Sequence, residues 1–234
     1  IDDADTLDVR RFKIEGGAAY SDDTDCNHWD FPMGFGYGPV EDVEVGIGFG
    51  GQFEERNEVL DDGREDECSE SGIGDLVVAA KWRLLKKGPL GARHAILPSV
   101  KFPTADDDKG LGSGKTDYDL MWIASRAFGE SVGAHVNAGY SWIGKPDDED
   151  ADDVLHYGFA LDFQLVDTVQ WVGEVFAEKE LNDNANTVVQ YNTGFRWSPI
   201  DDLTLDVAGG SRLSDEGPDF TATVGLTWEF GFAK

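Results

Sequence analysis

The string KGLGSGKTD, Lys109 to Asp117, holds the residues most suggestive of chemistry. A phosphate-binding loop reads G-x-x-x-x-G-K-[ST], its backbone N–H groups cradling the phosphates. Gly114, Lys115 and Thr116 supply the second half of that pattern, but the leading glycine falls on Lys109. Pro98 and Pro103 interrupt the strand that should precede the loop. Asp106, Asp107 and Asp108 would repel a phosphate. The helix that should follow is ambiguous. Leu120, Ile123, Ala124, Ala127 and Phe128 fit a helical face, while Tyr118, Leu120, Trp122 and Ala124 fit one face of a strand. Nucleotide binding is therefore not expected. Gly110, Gly112, Gly114 and Lys115 read instead as the bend of a long gating loop, standing at a rim or folding inward.

Other reactive groupings are weak. A hydrolase needs a nucleophile beside a histidine that a third group orients. His135 and His156 lie on neighbouring periodic segments, and Ser141 is far along from His135. His28 lies in a loop and His94 near a turn. No triad is suggested, so the expectation is not an enzyme. The runs DDTD and DDEDADD offer oxygen ligands but lack EF-hand spacing. A solvated acidic rim is expected, with no metal site and no cofactor. Cys26 and Cys68 form no C-x-x-C pair, which argues against zinc. Both fall in polar acidic stretches, so a Cys26–Cys68 disulfide is expected in an oxidising compartment, two free thiols being the other reading.

Charge narrows the partners. The chain has 234 residues, with 47 Asp and Glu against 19 Lys and Arg, a formal charge of -28. Nucleic acid needs clustered cations and is excluded as a partner. An aromatic content of 12% does not suit a disordered acidic tail, so charge and aromatics must be segregated in space. No apolar run is long enough for a membrane-spanning helix. The opening IDDADT reads as a mature terminus after removal of a leader.

The elements that segregate these residues are strands. In DFTATVGLTWEFGF, Phe220, Ala222, Val224, Leu226, Trp228, Phe230 and Phe232 share one face, and Thr221, Thr223, Gly225, Thr227 and Glu229 the other. That strict alternation is a strand signal. It recurs in about twelve segments, near 11–20, 30–39, 43–55, 73–85, 93–103, 117–128, 131–143, 154–166, 169–180, 187–198, 203–213 and 219–232, long enough for the roughly 9–11 residues that cross a bilayer. Short turns such as GPVED, FGES and VDT alternate with long acidic loops such as SDDTDCNHW and TADDDKGLGSGK. Tyr20, Trp29, Tyr118, Tyr140, Trp142 and Tyr157 fall toward the loop end, and Tyr37, Trp82, Trp171, Trp197 and Trp228 toward the turn end. Two aromatic girdles are a membrane-barrel trait. The expected fold is all-β: one domain, residues 1–234, forming a transmembrane antiparallel up-and-down barrel with both termini periplasmic. A soluble barrel or sandwich is the rival, but the face opposite the apolar one is too polar for a core.

Polar faces would then line a lumen. They carry Lys81, Arg83, Lys101, Asp119, His135, His156, Asp162, Glu174, Glu178, Arg196, Asp206 and Arg212, with Lys13, Glu15, Glu44 and Asp75. Mixed signs read either as a salt-bridged filling or as a charged constriction. Closure should bring Arg11 of the first strand near Glu229 of the last.

The segment LPSVKFPTADDDKGLGSGKTDYDL, Leu97 to Leu120, resembles the outer-membrane family named for the MetA pathway of phenol degradation. Gly110 to Asp117 is the nearest match, with echoes in GIGDL at Gly72 to Leu76 and in the closing GLTWEF. The loops here are more acidic, and the last residues are GFAK rather than a terminal aromatic. The resemblance implies a β-barrel in the bacterial outer membrane that passes small hydrophobic or aromatic compounds. Its partners would be the lipid bilayer, lipopolysaccharide and a small-molecule solute. A filled barrel that holds a structural or partner role is the other function, and a protein partner or oligomer is left open.

Overall fold

A computed structural model of the chain describes residues 1–22, 26–56, 70–109, 111–145, 151–182 and 185–231. Its strands are β1 (Arg11–Asp22), β2 (Cys26–Val40), β3 (Val43–Arg56), β4 (Ser71–Ile73), β5 (Leu76–Leu85), β6 (Arg93–Phe102) and β7 (Asp117–Phe128). They continue as β8 (Val132–Trp142), β9 (Val154–Val166), β10 (Val169–Glu180), β11 (Thr187–Ile200), β12 (Leu203–Arg212) and β13 (Phe220–Gly231). All neighbours run antiparallel, and β1 pairs with both β2 and β13, so the sheet closes on itself. The expected boundaries hold within a few residues except at β2. That strand begins at Cys26 rather than near residue 30, which moves Cys26 out of the expected loop.

β4 and β5 are two pieces of one stave, so thirteen labelled strands make a closed twelve-strand barrel. The break at Gly74 and Asp75 has a visible cause. Gly74 N–H turns to Gly50 O, and Asp75 Oδ1 accepts from the backbone N–H groups of Thr104 and Ala105, both at 2.9 Å. A second irregularity faces Pro32, which has no N–H to give. The β1–β2 ladder skips from Met33↔Gly16 to Asp30↔Ala19 there.

Alternation assigns the faces. Trp82, Trp122, Phe159, Val207, Leu226 and Trp228 are exposed on the outer surface. A water-soluble barrel does not present such a surface, whereas a bilayer covers it. Few apolar residues are buried, and one small cluster, Ala4, Ala95 and Ile123 with Leu97 and Met121 against it, lies inside the barrel. Short hairpins close the other end. Gly129 adopts a φ of 71° in the β7–β8 turn, the left-handed region that glycine enters without strain.

Ala4 exposes what the strand pattern did not reveal. Residues 1–8, preceding β1, run inside the barrel. The chain reverses where Arg11 N–H donates to Asp8 O at 3.0 Å and Arg10 N–H to Gly38 O at 2.7 Å. From there the segment touches inward side chains of β3, β5, β6, β7, β8 and β10.

Candidate functional site

The lumen is built by the inward positions of the strands and the segment lying among them. Leu7 N–H donates to Glu44 Oε2 at 3.0 Å. Asp5 Oδ1 accepts from Arg83 Nη1 at 2.9 Å, and Arg93 Nε lies 3.0 Å from the same oxygen. That second contact is at ion-pair distance but off the hydrogen-bond axis, leaving the Arg93 Nε–H without an aligned acceptor. Ala4 N–H donates to Ser125 Oγ at 2.8 Å. Lys81 Nζ meets Asp2 Oδ1 at 3.2 Å and Asp3 O at 3.1 Å. The Asn137 amide meets the Asp2 backbone both ways, donating to Asp2 O at 2.9 Å and accepting from Asp2 N at 2.8 Å, in the orientation that satisfies both groups. Ile1 places its amine 2.7 Å from Glu174 Oε2.

Three part-buried polar chains brace the wall. Ser125 Oγ lies 2.8 Å from His135 Nδ1, and His135 Nε2 lies 2.8 Å from Asp162 Oδ2. Gln170 Nε2 donates to Asp162 Oδ1 at 2.6 Å. His156 Nε2 and Ser141 Oγ share Asp119 Oδ2, at 2.6 and 2.7 Å. Lys101 Nζ joins Asp117 at 2.5 Å, Asp75 at 3.5 Å and Ser113 Oγ at 3.0 Å. The first chain corrects the expectation that no serine, histidine and carboxylate come together. Strand pairing sets Ser125 opposite His135 and His135 opposite Ala160, two residues from Asp162. Ser125 is only 1% exposed, and its Oγ also accepts from Ala4 N–H.

The remaining expected residues distribute as follows. Arg212 pairs with Asp219 at 2.5 Å and donates to Gly217 O at 3.0 Å. Glu178 borders a space beside Ile1 and His156. Arg196 and Asp206 are cross-strand partners, yet among the described residues neither makes an ion pair. Arg11 stands opposite Gly231 and Lys13 opposite Glu229, and Arg11 Nε reaches diagonally to within 3.5 Å of Glu229 Oε2. Arg11 also pairs with Asp202.

Free space remains in the lumen. A cavity of about 340 Å³ at the turn end is bordered by Asp5, Arg93, Gln170 and Arg196. Another of about 220 Å³ runs along β10 to β13 beside Glu174, Asn192, Arg196, Asp206 and Thr223. Arg196 borders both.

The glycine-rich loop turns inward at the opposite end. Leu111 is buried and lies against Gly72, where an added Cβ would come within 2.3 Å of Leu111 Cδ1. Gly114 takes a φ of 63° beside Asp107. Gly112 sits over Asp75, while Gly110 lies outside the described residues. The Cys26 side chain and Cys68 also lie outside the described residues, and with them the expected disulfide. No metal-binding group of His, Cys, Asp and Glu occurs among the described residues.

Two carboxylates outside the spanning strands are held below the usual carboxylate range. Asp42, in the β2–β3 turn, is lowered first by the hydrogen bond from Arg83. Asp153 is lowered by Tyr140, whose O–H donates at 2.7 Å, and then by Ile143 N–H. Lys86, in the β5–β6 turn, is raised first by its hydrogen bond to Glu41.

Sequence reading missed residues 1–8, Arg93 and Ser125 as lumen residues. Arg93 and Ser125 obey the same alternation that placed Lys101 and Asp119, so their facing was available. The segment gave only a charge clue, since Asp2, Asp3 and Asp5 complement Lys81, Arg83 and Arg93.

Similar architectures are known. The COG4313 outer membrane channel from Pseudomonas putida F1 superposes with a TM-score of 0.80 at 14% identity, over 98% of this chain and 100% of that one. The NanC porin gives 0.65 at 8% identity, over 93% and 98%. The CymD monoaromatic hydrocarbon channel gives 0.54 at 9%, over 97% and 90%. At these identities the likeness concerns the fold, which is that of outer-membrane barrels. No curated protein sequence matches the chain. The model of one family, "Putative MetA-pathway of phenol degradation", matches residues 9–230, and the chain belongs to that family.

Proposed function

We propose that this protein is a channel of the bacterial outer membrane that passes small solutes, with aromatic compounds as the class. The observation that carries the reading is the pairing of an apolar outer wall with an interior only partly filled. The segment preceding β1 lies against β3, β5 to β8 and β10, and cavities persist beside it and along β10 to β13. Membership of a phenol-degradation family and a fold shared with a monoaromatic hydrocarbon channel support the solute class. The short turns and both termini face the periplasm, and the acidic loops face out among lipopolysaccharide. Mixed charges at Arg196, Glu174 and Asp206 set selectivity, Leu111 and its loop narrow the outer mouth, and the protein performs no catalysis.

A second reading has its own support. Contacts of residues 1–8 on six strands would suit a sealed, structural barrel. Single-channel recording in a planar bilayer, with swelling of liposomes in phenol or benzoate, separates the two. Conductance and swelling are expected. A folded barrel showing neither sinks the channel.

A further inference from the structure

The contact between Asp5 and the wall has the form of a ligand in a site. One carboxylate oxygen sits between two guanidinium groups, Arg83 Nη1 at 2.9 Å and Arg93 Nε at 3.0 Å. Guanidinium groups suit carboxylates in charge and planar geometry. The Asp5 side chain is itself 48% exposed, so its grip on the wall is open to competition. Two other carboxylates nearby are committed. Asp42 belongs to Arg83, and Asp162 to His135 and Gln170. Glu130 stands at the cavity edge with Asp3. Without Asp5, Arg83 keeps Asp42, whereas Arg93 keeps no carboxylate among the described residues.

The space beside this contact is already open. The turn-end cavity of about 340 Å³ touches Arg93 on one side and Arg196 on the other. Arg196 has no ion pair among the described residues. The recess is mixed in charge, with Asp3, Asp5, Glu130 and Asp162 among its lining, but its two lumenal guanidinium groups stand out: Arg93 is held by a displaceable aspartate and Arg196 makes no ion pair among the described residues.

Building on the channel reading above, we propose that Arg93 and Arg196, with Arg83 behind, form a binding site for small organic carboxylates. Asp5 is its built-in occupant. A solute carboxylate entering the turn-end cavity meets Arg196 and exchanges with Asp5 on Arg93. The segment is thereby loosened from the wall by the solute that passes it.

The test uses the full chain folded in detergent micelles, titrated calorimetrically with sodium benzoate at fixed ionic strength, with benzamide as the neutral control. Asp5→Ala is expected to bind benzoate at least tenfold more tightly than the unaltered chain, with benzamide unchanged. Adding Arg93→Gln or, separately, Arg196→Gln to Asp5→Ala should reverse most of that gain. Each variant is first checked for strand content by circular dichroism, and Arg93→Lys replaces any Arg93 variant that does not fold. Equal benzoate affinity with and without Asp5 overturns the proposal. So does a gain that survives loss of Arg93 and Arg196, an equal gain for benzamide, or chloride competing as well as benzoate. Conductance of Asp5→Ala separates the two readings. Conduction without benzoate binding removes the site and leaves the channel, while binding without conduction does the reverse.

Discussion

Ala4 N–H donates to Ser125 Oγ at 2.8 Å across 121 residues of sequence, and this bond pins the lumenal segment to β7. With Ala4 fully buried and Ser125 1% exposed, no water stands ready to replace either partner. A buried donor left unpaired costs about 1–3 kcal/mol. Ser125→Ala is therefore expected to release the segment roughly tenfold more often, read as a higher open fraction in single-channel records. Records matching those of the unaltered chain would show that the bond does not hold the segment.

Gly38 guards the point where the segment enters. A Cβ there would lie 2.3 Å from Asp8 O and 3.0 Å from Leu7 O, both rigid backbone atoms. Gly38→Ala should destabilise the docked segment by about 1–3 kcal/mol, the usual cost of overpacking. Protease cutting within residues 1–8 measures it, and equal cutting rates would show that the entry has slack.

The closure pair should matter little. Arg11 and Glu229 are partly exposed, 3.5 Å apart, and Arg11 also has Asp202. Exposed pairs contribute about 0–1 kcal/mol. Glu229→Gln should shift the denaturant midpoint only slightly, because the backbone ladder from Phe12↔Phe230 to Asp22↔Phe220 carries the closure. A loss of several kcal/mol would mean that the charge pair, not the ladder, closes the barrel.

Asp153 gives a pH test with a definite sign. Its carboxyl is lowered in the folded protein, so it favours folding above the unfolded value, and that contribution fades as pH falls through the folded one. Tyr140→Phe removes the largest cause and should move Asp153 back toward the ordinary carboxylate range. Carboxyl carbon shifts followed by NMR titration report it, and an unmoved Asp153 would assign the lowering to Ile143 N–H instead.

Leu111 against Gly72 makes the outer mouth narrow in the proposed channel. Leu111→Ser should raise conductance about twofold or more with the barrel's unfolding midpoint unchanged, since Leu111 belongs to no strand and the Gly72↔Gln52 pairing stays intact. It removes a buried side chain, yet the roughly 2–5 kcal/mol typical of core truncations should fall on the loop alone. Unaltered conductance would place the limiting constriction elsewhere.

The barrel was legible because its signal is local and periodic. Trp228, Leu226 and Val224 alternate with Thr227, Gly225 and Thr223, and each pair restates which face meets lipid. Parity also fixed the facing of Lys101, Asp119, His135 and Asp162. What parity cannot supply is depth along the strand and the direction a long side chain takes. That is why Ser125 beside His135 and Asp162 went unread, and why Arg196 and Asp206 face each other without pairing. The segment 1–8 was invisible for a stronger reason. It has no repeat of its own, and its place is fixed by side chains 37 to 173 residues away. The glycine-rich loop followed the same rule: Leu111 finds Gly72 through the third dimension only.

The segment is joined to β1 by no more than the turn at Asp8 to Arg11. Its rebinding is therefore a reaction within one molecule, governed by tether length and not by how much protein the membrane holds. Short tethers give effective concentrations on the order of millimolar. A free solute with the intrinsic affinity of Asp5 would compete on even terms only near that concentration. Scarce solutes would have to bind several-fold better than the chain's own aspartate, so the tether sets a threshold below which the lumen stays occupied by its own sequence.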